Sequence, residues 1–259
     1  MKSVKLRDQL KNVENLVGTM INLSDIAISD IYSNLDFDFV WIDTEHAPIE
    51  YKDLLTHITV IESKGKNAIV RLQVDNYNHT KRVLEMGPTG VVFPMINTKE
   101  DAEKALASTF FPPKGTRGCG AQRASAWCTL NMAEYRDACE DDIVRIIQLE
   151  TKESIDNLEE IVKVKDIDCY LFGPCDLSTD LNDMNNVFGD ITQEYVRKAI
   201  KILKKHNKSI GVATYATSES ALKFWYDLGI NFIATGCDFE SIRKDATLTL
   251  QTVNKIFNK

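Results

Sequence analysis

No two of the six cysteines (Cys119, Cys128, Cys139, Cys169, Cys175, Cys237) stand at Cys-x-x-Cys spacing. That excludes a zinc ribbon and a disulfide framework, and reduced thiols in a cytoplasm are the expectation. Long apolar runs are also missing. None approaches the ~18–20 residues that cross a bilayer, so no membrane partner is expected. The opening MKSVKLRDQLKN is polar and helical in pattern, without the apolar stretch of a signal peptide. Positive charge is in deficit, with a formal net charge of −7. Basic stripes and basic–aromatic clusters are absent, which argues against nucleic acid as a partner. There is no internal repeat, low-complexity tract or linker, so the 259 residues are expected to form one domain, 1–259.

What is present is a rhythm. Short apolar runs at 16–21, 37–42, 68–70, 90–93, 144–149, 169–172, 210–213 and 231–234 read as eight strands. Helical segments separate them. An opening helix is expected at 3–12, and later ones stop at Gly65, Gly87 and Gly229. Thr98, with Asp101 three residues on, signals a helix start. Eight strands alternating with helices predict a (β/α)₈ TIM barrel. An open doubly wound sheet is the weaker alternative, because 16–21 leads into Asn22-Leu23-Ser24 rather than a glycine-rich phosphate turn. The stretch 110–130 interrupts the rhythm with Pro112-Pro113, Gly115, Gly118 and Gly120, and predicts a long functional loop or lid.

The most informative segment is 146–178. Two apolar runs each end in an acid, Glu150 and Asp176, with an amphipathic helix carrying Ile155, Leu158, Ile161 and Val162 between them. A strand–helix–strand unit of this kind closes right-handed with parallel strands. Both carboxylates then lie at the same end of the sheet, where they repel unless a cation or a shared proton separates them. An oxygen-rich site suits Mg²⁺ or Mn²⁺, and Co²⁺ is a further possibility. The competing reading is that both acids simply cap helices. Gly173-Pro174 weighs against it, since glycine lets the backbone approach a ligand closely and successive N–H groups can cradle a carboxylate.

Active sites of such barrels lie at the carboxyl ends of the strands. Asp43, His46, Arg71, Gln148 and Gly173–Asp176 all fall at that end of the expected strands. Arg71 follows Ala-Ile-Val, and its buried guanidinium needs an acceptor: either a structural pair with Glu45 or Asp43, or a developing oxyanion. His46 follows two acids that can fix its tautomer and raise its basicity. His57, His79 and His206 read as structural or solvated. Arg117 and Arg123, in the long loop, are candidate clamps for an anionic substrate tail. Cys175 abuts the site and reads as a buried thiol, since no local base accompanies it.

Asp-Phe-Val-Trp-Ile-Asp-Thr-Glu-His-Ala-Pro (38–48), Pro-Pro-Lys-Gly-Thr-Arg-Gly (112–118), Gln-Leu-Glu-Thr (148–151) and Gly-Pro-Cys-Asp-Leu-Ser (173–178) resemble the HpcH/HpaI aldolase family in order and spacing. The resemblance spans nearly the whole chain. It implies a (β/α)₈ barrel that cleaves a 4-hydroxy-2-oxo acid to pyruvate, or a related 2-keto acid, and an aldehyde with a divalent metal. Glu150 and Asp176 would be the metal ligands and Arg71 the enolate-stabilising group. His46 would be the base, paired with Asp43. Gln148 would lie beside metal and substrate, with Gly173, Pro174 and Cys175 against the pyruvate carboxylate. The resemblance further implies a homo-oligomer, trimer or hexamer, with the last helix exchanged between neighbours. Cys175 departs from the family's usual alanine and Glu85 from a common aspartate.

Two rival functions remain at this point. A Schiff-base aldolase needs a lysine projecting into the barrel, and neither Lys66 nor Lys165 is so placed. A non-catalytic barrel that binds keto acids would not need His46 beside an acid pair. The aldehyde half-site is expected from the long loop, the turn at 213–216 and a neighbouring subunit.

Overall fold

The computed structural model describes residues 5–74, 77–184 and 186–259. Eight strands, β1 (Leu16–Ile21), β2 (Phe39–Asp43), β3 (Asn67–Arg71), β4 (Gly90–Phe93), β5 (Val144–Leu149), β6 (Cys169–Phe172), β7 (Ile210–Thr214) and β8 (Phe232–Cys237), close in chain order into a barrel. Every neighbouring pair is parallel, β8 with β1 included. β2, β4, β5 and β6 are buried along their whole length. That is why they appear in the sequence as continuous apolar runs: both faces of a parallel sheet are covered.

Side chains alternate along each strand and divide the core in two. Val40, Ile42, Val70, Ile147, Leu149, Tyr170 and Phe172 face outward to the helices. Phe39, Trp41, Ile69, Val144, Ile146 and Leu171 fill the barrel. Phe39 stacks on Phe232 at 4.1 Å between ring centroids and closes the axis. Gly18 makes this possible, because a Cβ there would lie 2.3 Å from the Phe39 ring. The inward parity continues upward. Asp43 succeeds Phe39 and Trp41, Arg71 succeeds Ile69, and Gln148 succeeds Val144 and Ile146. The period of two thus delivers polar groups to the mouth above an apolar interior.

Helix α1 (Leu6–Lys11) precedes β1, while Ser3 and Val4 of the expected opening helix lie outside the described residues. α2 (Ile26–Ser33), α3 (Tyr51–Ser63), α4 (Tyr77–Glu85) and α5 (Lys99–Ala107) follow β1 to β4. Thr98 and Asp101 form the reciprocal cap expected for α5. α6 (Met132–Asp142) ends the long connection before β5. The single helix expected after β5 is two, α7 (Lys152–Asp156) and α8 (Leu158–Ile161), broken at Asn157. β6 runs directly into α9 (Pro174–Asp180), so Asp176 lies in the first turn of a helix capped at Gly173 rather than capping one itself. The missed signal is Pro174, which suits the first helical position where no N–H is needed. α10 (Asp190–Lys205) and α11 (Glu219–Leu228) follow, the latter stopped by Gly229 in the left-handed region.

The last helix, α12 (Asp238–Phe257), buries only Asp238. Ile242, Leu248, Leu250, Ile256 and Phe257 stand exposed along it. Among the described residues no helix is long and apolar enough to cross a membrane.

Candidate active site

A cavity of about 180 Å³ opens at the carboxyl ends of the strands. His46, Arg71, Gln148, Gly173, Pro174, Cys175 and Asp176, all named from sequence, line it. Met20, Trp41, Ala213, Thr214 and Tyr215 complete the wall; the last three fall in the turn at 213–216, while Met20 and Trp41 were not singled out. Trp41 could have been found by parity, two residues before Asp43 on one strand.

β2 and β3 set Asp43 opposite Arg71 in register. Arg71 donates from Nε to Asp43 Oδ1 at 3.0 Å and from Nη2 to Oδ2 at 2.6 Å. Its third nitrogen lies 3.3 Å from Glu45. The guanidinium also stands 5.7 Å from the Trp41 ring. Burial works against a charged Asp43, but the Arg71 hydrogen bonds and charge outweigh it, helped by the Glu45 and His46 amides. The Asp43 carboxyl is held below its ordinary range. Glu45 moves the other way, raised by burial against the pull of Arg71 and His46. Asp43 meets His46 only through the backbone N–H, at 3.3 Å. The carboxylate near the His46 ring is Glu45, 3.8 Å from Nε2. Pairing of the His46 ring with Asp43 is therefore corrected: Asp43 is committed to Arg71.

Behind Arg71 lies a buttress. The Thr44 hydroxyl donates to the Arg71 carbonyl and lies 2.9 Å from His79 Nε2. With its own proton directed to Arg71, Thr44 accepts from Nε2–H. Tyr51 then donates to Nδ1 at 3.0 Å, which fixes the neutral Nε2–H tautomer. Burial first, and the Arg82 charge second, push the His79 pKa down to about 4.

Glu150 is 3% exposed and accepts from the Met95 amide at 2.6 Å and from the Gln148 side-chain amide. Burial raises its pKa to about 7, with the charges of Asp176 and Glu45 adding to the rise. The two acids thus act on each other across the mouth. Asp176 lies exposed in the first turn of α9. Gly173 leaves room beside Gln148 and Glu150, since a Cβ there would stand 2.7 Å from both Gln148 Nε2 and Glu150 Oε2. Gln148 Oε1 is buried without a partner.

These groups fit a hard divalent cation: the donors are carboxylate oxygens, one buried carboxylate is under strain from its own charge, and an acceptor beside it is unsatisfied. Among the described residues no three His, Cys, Asp or Glu side chains cluster at metal-binding spacing. Two carboxylates would then leave the remaining positions to water or substrate, as Mg²⁺ usually requires.

Cys175 lines the cavity and is exposed, not buried as expected from sequence; desolvation and the Asp176 charge raise its thiol pKa, which disfavours the thiolate. Arg117 and Arg123 do not reach the site. Arg117 is buried and donates to the Tyr135 hydroxyl at 2.7 Å and the Leu84 carbonyl at 3.2 Å. Arg123 pairs with Glu62 at 3.4 Å. Both pin the long loop toward the amino-terminal rim of the barrel, where Glu62 lines a separate cavity of about 380 Å³. The loop is not a lid over the site in this chain, and none of its residues lines the mouth.

Residues 17–244 match the family model described as HpcH/HpaI aldolase/citrate lyase. The chain is 29% identical over 242 residues to a 4-hydroxy-2-oxo-heptane-1,7-dioate aldolase of Salmonella dublin, covering 93% of this chain and 90% of that one. It is 26% identical over 222 residues to a hydroxypyruvate/pyruvate aldolase of Agrobacterium fabrum, covering 86% and 83%. The crystal structure of an HpcH/HpaI aldolase/citrate lyase family protein from Burkholderia cenocepacia superimposes with a TM-score of 0.90. That protein is 24% identical, with 96% of this chain and 98% of the other covered, and it supports the barrel fold.

Proposed function

Since the chain belongs to the HpcH/HpaI aldolase/citrate lyase family, we propose that it is a metal-dependent aldolase. It cleaves a 4-hydroxy-2-oxo acid reversibly to pyruvate, or a related 2-keto acid, and an aldehyde. The observation that carries this reading is the convergence, at one strand-end mouth, of the Glu150–Asp176 acids with Arg71 and His46.

Glu150 and Asp176 would hold the divalent ion (Mg²⁺, Mn²⁺ or Co²⁺), which when bound supplies Lewis-acid polarisation of the keto acid. The amides of Cys175 and Asp176, in the first turn of α9, have no intrahelical acceptors and meet the keto-acid carboxylate. The Gln148 side-chain amide, hydrogen-bonded to Glu150, stands beside them. His46 takes the proton from the C4 hydroxyl as the C3–C4 bond breaks. The C4 oxygen becomes the aldehyde carbonyl, and the bonding pair passes to the C2–C3 enolate. Arg71 donates to the enolate oxygen, while Asp43 and Glu45 hold its fork in place. Protonation at C3 then releases pyruvate.

No lysine lines the mouth among the described residues, which disfavours a Schiff base. The deciding experiment measures pyruvate release from a panel of 4-hydroxy-2-oxo acids with added Mn²⁺ or Mg²⁺ and with chelator. Metal-dependent release supports the reading. Release that survives chelation and is trapped by borohydride replaces it with a Schiff-base mechanism, and pyruvate binding without any turnover leaves a non-catalytic barrel.

The assembly belongs to the same proposal. A 20-residue helix that buries only Asp238 on its own barrel is given a second copy of the chain as its cover, with α12 exchanged between neighbours in a trimer or hexamer.

A further inference from the structure

The Arg71–Asp43 pair is reached from a third strand. Along β1 the inward parity runs through Gly18 and Met20 to Asn22, the first residue past the strand. Asn22 is buried, and its side-chain nitrogen lies 3.3 Å from Asp43 Oδ2. The same oxygen receives Arg71 Nη2 at 2.6 Å. A carboxylate only accepts, so the amide nitrogen of Asn22 must face Asp43. Asn22 Oδ1 is then left buried without a partner. A buried acceptor left unmet is unfavourable, and the chain keeps one here in order to set a donor on Asp43.

The other Asp43 oxygen is also filled. Oδ1 receives Arg71 Nε and the Glu45 amide at 3.0 Å each, and the His46 amide at 3.3 Å. β1 and β3 flank β2, so Asn22 and Arg71 approach Asp43 from opposite neighbouring strands. Without Asn22, carboxylate and guanidinium can turn together toward Glu45, which already lies 3.3 Å from Arg71 Nη1.

Asn22 is fixed in turn by the root of the last helix. Asp238, at the start of α12, is 2% exposed. Its Oδ2 accepts from the backbone N–H of Asn22 at 2.9 Å and of Leu23 at 2.8 Å. Its Oδ1 takes the Phe239 amide at 2.8 Å. The one residue that α12 buries is therefore the one that clamps the turn carrying Asn22.

We propose that Asn22 is a positioning residue that aims Arg71 through Asp43, with Asp238 as its anchor. The inference rests on the aldolase reading, in which Arg71 meets the enolate oxygen. Asn22 does not line the cavity, so its effect on the reaction passes through the Asp43 carboxylate. The enolate charge develops only on the way to the transition state, so a misaimed Arg71 lowers kcat and leaves KM nearly alone.

The test follows uptake of solvent deuterium into the pyruvate methyl group by the full chain with Mn²⁺ and no aldehyde. A C3–H bond breaks, its electron pair becomes the C2–C3 enolate, and a solvent deuteron takes the vacant place. The readout is thus the charge that Arg71 meets. Asn22→Ala is expected to lower the kcat of uptake by about tenfold or more, with the KM for pyruvate changed by no more than about twofold. Asn22→Asp keeps the shape but sets a charge against Asp43, and should lose more. In an Asp43→Asn background Asn22→Ala should bring no further loss, because contacts that share one partner do not add. Asp238→Ala should give a smaller loss that vanishes once Asn22 is already alanine. Asp25→Ala removes the cap of α2 in the same connection, and should lower Tm without slowing uptake. A second readout needs neither metal nor pyruvate. In protein labelled with ¹⁵N-arginine, the Arg71 Nε–H should exchange with solvent faster in Asn22→Ala than in the wild type. Unchanged kcat in Asn22→Ala, a loss confined to KM, a full additive loss in the Asp43→Asn background or an unchanged Arg71 N–H each overturns the proposal. Any of these, with normal uptake by the wild type, removes this inference alone. Absence of uptake by the wild type removes the aldolase reading and this inference with it.

Discussion

Asp43 and Arg71 are register partners across β2 and β3, and their side chains meet in two parallel hydrogen bonds of 3.0 and 2.6 Å. The arginine is aimed by a neighbour one strand away, so its direction is a property of the sheet. Arg71→Ala is expected to lower aldol cleavage by ~10²–10³, the usual loss for one oxyanion donor. It also strands a buried Asp43, at a cost of about 3–5 kcal/mol. Arg71→Ala combined with Asp43→Asn should recover stability without activity. Arg71→Lys should retain charge but lose the fork, and stay impaired. Steady-state turnover and urea denaturation midpoints separate the effects, and near-normal turnover of Arg71→Ala excludes the role.

Glu150, with its pKa raised to about 7 by burial, sets a pH dependence for the metal-free protein. A carboxyl whose folded pKa lies above its unfolded value contributes stability below the unfolded value, and that contribution is lost as pH rises through about 7. At pH 8 the buried charge costs about 3 kcal/mol relative to the protonated form. A bound divalent cation offsets that cost and competes with the proton. The Mn²⁺-induced rise in melting temperature is therefore expected to be larger at pH 8 than at pH 6. Glu150→Gln should abolish both the rise and its pH dependence.

His79 has the opposite sign. Its pKa is lowered to about 4 by burial and the Arg82 charge. The unfolded chain gains a proton on this histidine near pH 6.5, which the folded one refuses. The stability it contributes is present above that point and is lost as pH falls toward 4. His79→Gln should flatten the acid limb of a stability–pH curve over this window. It should also cost about 1–3 kcal/mol at neutral pH from the unmet Thr44 and Tyr51 groups. An unchanged acid limb would discard the assignment.

Gly173→Ala is expected to fold, since φ there is −99° and any residue adopts it. The new Cβ would stand 2.7 Å from Gln148 and Glu150. Displacing those two groups should cost about 10² in kcat/KM, as ångström-scale misplacement does. Unaltered kcat/KM and metal affinity in this variant would show that the gap beside Glu150 has no part in the reaction.

The exposed face of α12 predicts that the chain is not a 29.3 kDa particle in solution. Light scattering is expected to give a trimer or hexamer, and Leu248→Asp with Ile256→Asp to shift it toward the monomer. A monomer at micromolar concentration would refute the exchange of α12.

The strands were legible because a sheet covered on both faces leaves uninterrupted apolar runs, and because β-parity then carries Asp43, Arg71 and Gln148 to one rim. Contacts made by long-range folding were not legible. Arg117 and Arg123 looked like substrate clamps because nothing local pairs them; their partners, Tyr135, Leu84 and Glu62, are brought in only by the fold of the loop. Glu45 stood next to His46 in sequence, yet its stronger contact is with Arg71 on the next strand. The start of α9 at Pro174 was not legible because Gly-Pro signals a turn as strongly as a helix start. Tyr215 lay in a turn recognised only as a segment, with no local pattern to show which of its side chains meets the mouth.

The stacked rings of Phe39 and Phe232 make the barrel a cup with a single doorway. On the proposed reaction both partners must share it, the keto acid against buried Gln148 and Glu150, the aldehyde nearer exposed Tyr215. Occupancy then follows a queue, first in and last out. Pyruvate leaves only after the aldehyde has gone, and an aldehyde that lingers at the threshold traps the enolate beneath it.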